Sequence, residues 1–352
     1  MQTTIEPPVQ IRLEGSSFCN LRCPLCPTTT GEIHRQAVGA GFLRFEDFRK
    51  LLDDNPRLKL VELSNWGEIF LNPALLSVLE LAYERGVELV ANNGVNLNKI
   101  RPEVLEGLVR YQFRSLVCSI DGASQETYSI YRVRGKFDNV IDNIRKINEL
   151  KRRYNSPFPK LRWKFVVFGH NEHELPVARE MARELGMEFV TMVNWDPNYS
   201  PLRDPEAVRA ATNDAVTLDE YAVLHGEGEY CHQLWDAPQI NWDGKVLGCC
   251  INFWGDFGGN AFRDGLTASV NTEKIQYARA MLLGREPPRE DIPCTQCVRY
   301  QNMNKRGAWL ERVPPRLQNW SRPFVPTIAR PMLRKIYWGV YRRAKRWLPR
   351  WL

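Results

Sequence analysis

The sequence predicts an α/β fold: a partial (β/α)6 barrel, then a small cysteine-bearing module, then a basic amphipathic C-terminal helix. Three observations carry this expectation. Between residues 9 and 192, six short β-rich runs alternate with helix-period segments. Five of the nine cysteines fall within residues 231–297. After Glu311 the chain has 11 Lys or Arg and no Asp or Glu, and its last stretch has helical amphipathic spacing.

Taken in order, strands are predicted near 9–14, 58–63, 87–92, 115–120, 162–168 and 188–193, with helices near 45–54, 73–85, 102–110, 138–154 and 172–185. Gly86 and Gly186 stand where glycines terminate helices, and Pro73 and Pro102 where helices begin. Residues 197–226 lose periodicity and read as a linker. In QINWDGKVLGCC, the Asp243-Gly244 pair between alternating runs predicts a hairpin. The expected organisation is therefore a barrel over 1–196, a linker over 197–226, a cysteine module over 227–310 and a tail over 311–352. In the tail, aliphatic and aromatic residues from Leu333 to Leu348 share one arc. Arg334, Lys335, Arg342, Arg343, Lys345 and Arg346 share the other. Such a helix suits a membrane surface or the enzyme's own surface, and is too short and charged to span a bilayer.

The 352-residue chain carries a net charge of +7, but residues 1–311 hold 37 basic against 41 acidic groups, a net of −4. A mildly acidic body argues against a nucleic-acid groove, so no nucleic-acid partner is expected. No signal peptide or apolar run of spanning length is present, so the chain reads as cytoplasmic, with the tail able to hold it at the inner face of a membrane. In a reducing compartment nine cysteines point to metal ligation rather than disulfides.

In FCNLRCPLC, Cys19, Cys23 and Cys26 follow the first predicted strand directly. Three thiolates on one loop can hold three irons of a cubane and leave the fourth open, whereas structural zinc wants a fourth ligand that is missing nearby. This C-x3-C-x2-C loop resembles the signature of the radical S-adenosylmethionine (SAM) superfamily, and the resemblance extends over roughly residues 9–310. It implies a [4Fe–4S] cluster whose open iron binds SAM, and reductive cleavage of SAM to a 5′-deoxyadenosyl radical. NWGEIFLNP resembles the family's Gly-Gly-Glu-Pro motif, with Trp66 and Ile69 at its outer positions. By that resemblance Gly67 lets backbone approach SAM, and Glu68 accepts hydrogen bonds from the SAM amino group. ANNG resembles the Thr-Asn-Gly turn, making Asn93 a support of the site. The segment CSIDGASQETYSIYRVRGKF resembles the Ser-x-Asp-Gly segment with its downstream arginine, so Ser119 and Arg132 are expected to face the SAM carboxylate, with Arg134 as an alternative. Leu25 stands where the family usually has an aromatic residue. Cys118 reads as a small buried residue. Arg162 and Lys164 alternate with Trp163 and Phe165, which puts the two cations on one face of the fifth strand, either the barrel lumen or the solvent side.

Cys231, Cys249, Cys294 and Cys297 form a set closing on a C-x2-C step, which either an iron–sulfur cluster or a zinc ribbon accommodates. Twelve residues separate Cys231 from Gly244 and four separate Gly244 from Cys249. This resembles the opening of the SPASM and twitch auxiliary-cluster modules, with GGNAF at 258–262 similar to their Gly-Asn turn. A full SPASM module would place a further cysteine where Met303 stands, so one auxiliary [4Fe–4S] cluster with four protein ligands is expected, as in the twitch form. Cys250, beside Cys249, is the competing ligand. The spacing of the four cysteines resembles that of 2-deoxy-scyllo-inosamine dehydrogenase.

The leading expectation is an oxidoreductase, a dehydrogenase acting on a sugar, aminocyclitol or other hydroxylated small molecule. Its auxiliary cluster would accept the electron, and flavodoxin or ferredoxin would be the donor. Two other readings stay open: a peptide-modifying SPASM maturase, and a zinc-stabilised membrane-associated binding protein. In such maturases a leader-binding winged helix usually precedes the barrel, whereas about eight residues precede the first predicted strand here.

Overall fold

Alternation along the first six strands separates an outward apolar face from an inward polar one. The computed structural model describes residues 2–212 and 231–310. Its strands are β1 (Gln10–Leu13), β2 (Leu60–Glu62), β3 (Glu88–Val95), β4 (Ser115–Ser119), β5 (Lys160–Val167), β6 (Glu188–Val193), β7 (Gln239–Ile240) and β8 (Val246–Gly248). They form one sheet in the order β6-β5-β4-β3-β2-β1-β7-β8. β1 to β6 are mutually parallel, as helical crossovers require.

Ile11, Leu13, Val61, Leu89, Ala91, Leu116, Trp163 and Phe165 are buried on the outward face. The crossover helices cover it: Phe45–Asp54, Leu75–Glu84, Pro102–Arg110, Phe137–Arg153 and Leu175–Glu184. Trp163 is fully buried, and its indole Nε1 donates to the carbonyl of Ile120 at 2.7 Å. Burying such a side chain contributes roughly 1.5–3 kcal/mol, and the satisfied N–H removes the usual penalty. Pro102 opens its helix as expected, whereas the Pro73 helix begins two residues later, at Leu75, after Asn72 Oδ1 accepts from the Ala74 amide. Gly86 and Gly186 each have φ near 65°, the left-handed conformation that ends a helix.

One reading of the sequence needs correction, and two further helices appear. ANNG is not a turn: β3 continues through it to Val95, with a register shift between Ala91 and Val95. The segment after Asp121 contains a helix, Gln125–Tyr131, capped by Ser124 Oγ accepting from the Thr127 amide. The linker carries the helix Pro205–Thr212 in its described part. The 239–248 hairpin forms as predicted. Its first strand also pairs in parallel with β1, which extends the barrel sheet. Residues 213–226 of the linker and the whole amphipathic tail lie outside the described residues. No helix among the described residues is long and apolar enough to cross a membrane.

Candidate functional site

Ligands of parallel α/β sheets bind beyond the carboxyl ends of the strands, and the predicted cysteine loop lies there. Cys19, Cys23 and Cys26 follow β1, and the Cys26 amide donates to the Cys23 carbonyl at 3.1 Å. Cys19 Sγ accepts from the Leu21 amide at 3.4 Å and from Asn96 Nδ2 at 3.7 Å. Cys23 Sγ faces Arg132 Nη1 at 3.7 Å. Burial pushes the Cys19 thiol up to about 12, with the nearby Glu68 adding to the rise. Burial also raises the Cys23 thiol, against the opposing pull of Arg132. Two thiols of the loop, Cys19 and Cys23, thus resist ionisation and call for a cation to hold them as thiolates, which iron supplies.

Gly67 is pressed against this loop. A Cβ there would lie 2.0 Å from the Ser16 carbonyl oxygen. The contact is held by the Glu68 amide donating to Phe18 O at 2.7 Å and by Thr28 Oγ1 donating to Trp66 O at 2.7 Å. Glu68 is buried, and its carboxylate accepts from the amides of Phe70 at 3.2 Å and Asn96 at 2.6 Å. Burial raises its pKa to about 7. A carboxylate has about four acceptor positions, so two remain for a ligand. Glu14, one turn of the pleat beyond Arg12, takes the amides of Trp66 and Gly67 and is raised to about 8 by burial.

The remaining predicted contacts line the same rim. The Asn93 amide donates to Ser64 Oγ at 3.1 Å, and Asn93 Nδ2 donates to Asn65 Oδ1 at 2.7 Å. Ser119 is buried at the end of β4, and a Cβ on Gly94 would come 2.3 Å from its Oγ. Arg132 Nε donates to Asp121 Oδ2 at 2.6 Å, and Asp121 Oδ1 accepts from the Val166 amide at 2.8 Å. Arg134 stands in an exposed turn at φ 71°. Asn96, Asp121 and Glu14 were not singled out from the sequence. Glu14 alone left a local signal, since it continues the inward alternation of Gln10 and Arg12.

The second cysteine set also converges. Cys231 precedes the short helix Gln233–Asp236, and Cys249 follows β8. Cys294 lies in the 3-10 turn Pro293–Gln296, and Cys297 caps the helix Val298–Arg306. All four line a cavity of about 60 Å3, walled by Leu234, Trp254, Phe257, Leu282, Pro293 and Tyr300. Cys250 lines it too, and its thiol donates to Gln233 Oε1 at 3.3 Å. Burial and the neighbouring thiols raise Cys249 and Cys294. Gln233 Nε2 and Tyr300 Oη are buried here without partners, as expected where a further polar group belongs. Among the described residues no three ligating side chains close on a single-ion centre. In donor type, the three thiols of the first set suit a cubane with one open iron, and the four of the second set suit either a cluster or zinc. Cys118 is fully buried in β4, as expected of a packing residue.

Comparison with known proteins agrees with this geometry. Residues 13–176 match the radical SAM superfamily. The chain is 28% identical over 182 residues to the AdoMet-dependent heme synthase of Methanosarcina barkeri, covering 51% of this chain and 48% of that protein. It is 23% identical over 259 residues to the tungsten-containing aldehyde ferredoxin oxidoreductase cofactor-modifying protein of Pyrococcus furiosus, covering 67% and 69%. The chain thus spans about half the length of the first relative and just over two thirds of the second. Among solved structures, SuiB of Streptococcus suis bound to S-adenosylmethionine superposes with a TM-score of 0.60 at 14% identity, covering 85% of this chain and 73% of SuiB. That likeness is one of fold.

Proposed function

We propose that this chain, whose residues 13–176 match the radical SAM superfamily, is a radical SAM enzyme, an oxidoreductase acting on a hydroxylated small molecule, a sugar or aminocyclitol. The observation that carries the reading is the second cysteine set. Its four thiols surround one cavity, a complement that leaves no iron of a cubane open for substrate and so suits electron transfer. When bound, the first cluster with SAM supplies a radical that removes a hydrogen atom from a carbinol carbon, and the auxiliary cluster supplies a sink for the remaining electron.

The chain's own residues divide the work of holding these groups. Cys19, Cys23 and Cys26 hold the first cluster, and Cys231, Cys249, Cys294 and Cys297 the second. Glu68 offers its free acceptor positions to the SAM amino group, and Ser119 and Arg132 face the SAM carboxylate. Arg132 is fixed for that role by Asp121, since a guanidinium held by one carboxylate keeps further donors for another. Gly67 keeps the loop close, and Asn93 supports the rim.

The direct test is turnover of the anaerobically reconstituted protein with candidate substrates deuterated at the carbinol carbon. The reading expects deuterium in 5′-deoxyadenosine, a carbonyl product, and about eight irons and eight sulfides per chain. Deuterium transfer without loss of two hydrogens from the substrate would overturn the oxidoreductase assignment. The amphipathic tail adds a second element: adsorption to anionic lipid, with each cation contributing about 1 kcal/mol near the surface. Liposome sedimentation of the full chain against a truncation after Glu311 tests it.

A further inference from the structure

The barrel lumen holds a cation to which the SAM contacts proposed above assign no role. On β5 the outward side chains Trp163 and Phe165 are fully buried, so Arg162 and Lys164 face inward. Arg162 is paired, its Nε donating to Glu188 Oε2 at 2.7 Å. Lys164 has no such partner. Among the described residues its ammonium makes one hydrogen bond, to the carbonyl of Asn93, and no ion pair. An ammonium has three donors, so two remain. Lys164 itself is partly exposed.

The charged groups that face it are already engaged. Asp121 is closed by Arg132 and the Val166 amide. Glu62, on β2, accepts from the Ser64 amide and hydroxyl and from the Asn92 amide. Arg132 adds a like charge, and with burial it lowers the Lys164 pKa to about 8, which still leaves the amine largely protonated at neutral pH. On β1, Arg12 lies opposite Glu62 in the register and also faces inward. Its Nε donates to Gln239 Oε1 at 3.2 Å, and its buried Nη2 has no partner. Lys164 also approaches the rim: a Cβ on Gly94 would lie 3.1 Å from its Nζ and 2.3 Å from Ser119 Oγ.

We propose that Lys164 forms an oxyanion subsite in the barrel lumen that takes a carboxylate or phosphate group of the substrate. An ammonium with unused N–H donors gains from a charge-assisted pair with an oxyanion. The proposal rests on the reading of this chain as an enzyme of hydroxylated small molecules and narrows that class to anionic ones.

Binding without turnover tests it. Gluconate, glucose 1-phosphate and neutral myo-inositol are titrated calorimetrically into the full-length reconstituted protein with SAM present. The two anions are expected to bind more tightly than inositol, and their ratio distinguishes a carboxylate site from a phosphate site. Lys164→Met should weaken the preferred anion by at least about tenfold, the value of a hydrogen bond to a charged group, with SAM affinity unchanged. Lys164→Arg should retain most of the binding. Anions that bind no better than inositol, or a Lys164→Met variant that binds them unchanged or loses SAM affinity instead, would overturn the proposal. If Lys164→Met fails to take up iron, the wild-type protein decides. The preferred anion must protect Lys164 from an amine-selective acylating reagent, read by peptide mass spectrometry, and lack of protection overturns the subsite. Failure of substrate oxidation would leave these binding results standing, so the two readings fail separately.

Discussion

Replacing Gly67 by alanine tests whether the contact between the cysteine loop and the Glu68 loop is as tight as the structure shows. The added Cβ would sit 2.0 Å from Ser16 O and 2.7 Å from Phe18 O, where packed carbon contacts lie at about 3.5–4.0 Å. The 66–68 segment must therefore retreat by more than about 1 Å. Retreat stretches the bonds from the Glu68 amide to Phe18 O, from Thr28 Oγ1 to Trp66 O and from the Gly67 amide to Glu14. At about 1 kcal/mol for each bond, only partly lost, and about 1–3 kcal/mol for overpacking, the cost is about 3–5 kcal/mol. Gly86→Ala is the control. It stands at φ 65° with nothing within 4 Å of a new Cβ, so it should cost only the left-handed strain of about 1–2 kcal/mol. Urea denaturation of both variants, followed by circular dichroism, measures the difference. A Gly67→Ala variant no less stable than Gly86→Ala would refute the steric argument.

Three further outcomes are expected. Replacing Cys19, Cys23 and Cys26 together by alanine should abolish 5′-deoxyadenosine formation and leave one cluster, as chromatography and iron analysis will show. Cys294→Ala with Cys297→Ala should halve the iron content while SAM cleavage survives without product, and full iron retention would contradict the ligand set. Glu14, raised by burial from 4.5 to about 8, binds a proton in the folded state that it loses when unfolded. Its stabilising contribution is complete below pH 4.5 and declines as pH rises towards 8, so Glu14→Gln should flatten the fall in stability across that window, measured by denaturation at several pH values.

The barrel was legible because its signals are local. The alternation of Trp163 and Phe165 with Arg162 and Lys164 is a strand pattern that any register preserves, and Gly86 and Gly186 mark helix ends whatever packs on them. Three thiols within eight residues likewise converge on one loop. What the sequence hid depends on distant partners. Asn92, Asn93 and Gly94 have the composition of a turn, yet Glu62 and Ser64 accept the Asn92 and Asn93 amides and hold the segment extended. Asn96 reaches Cys19 and Glu68 across β3 and β1, a contact that no spacing reveals.

The pairing of β7 with β1 explains the departure from the family motif at Trp66. That pairing brings the loop after β8 against the loop after β2, across a gap that two glycines would leave empty. Trp66 fills it: its ring meets Phe253 edge-on at 5.3 Å, and Phe253 meets Trp254 at 5.4 Å on the wall of the second cavity. Asn65 Nδ2 donates to the Cys250 carbonyl at 3.1 Å, fastening the same junction. Such aromatic contacts contribute about 0.5–1.5 kcal/mol each beyond burial, and an Asn–carbonyl bond about 1 kcal/mol. Trp66 therefore packs the loop that carries Gly67 and Glu68 against the wall of the second cysteine set.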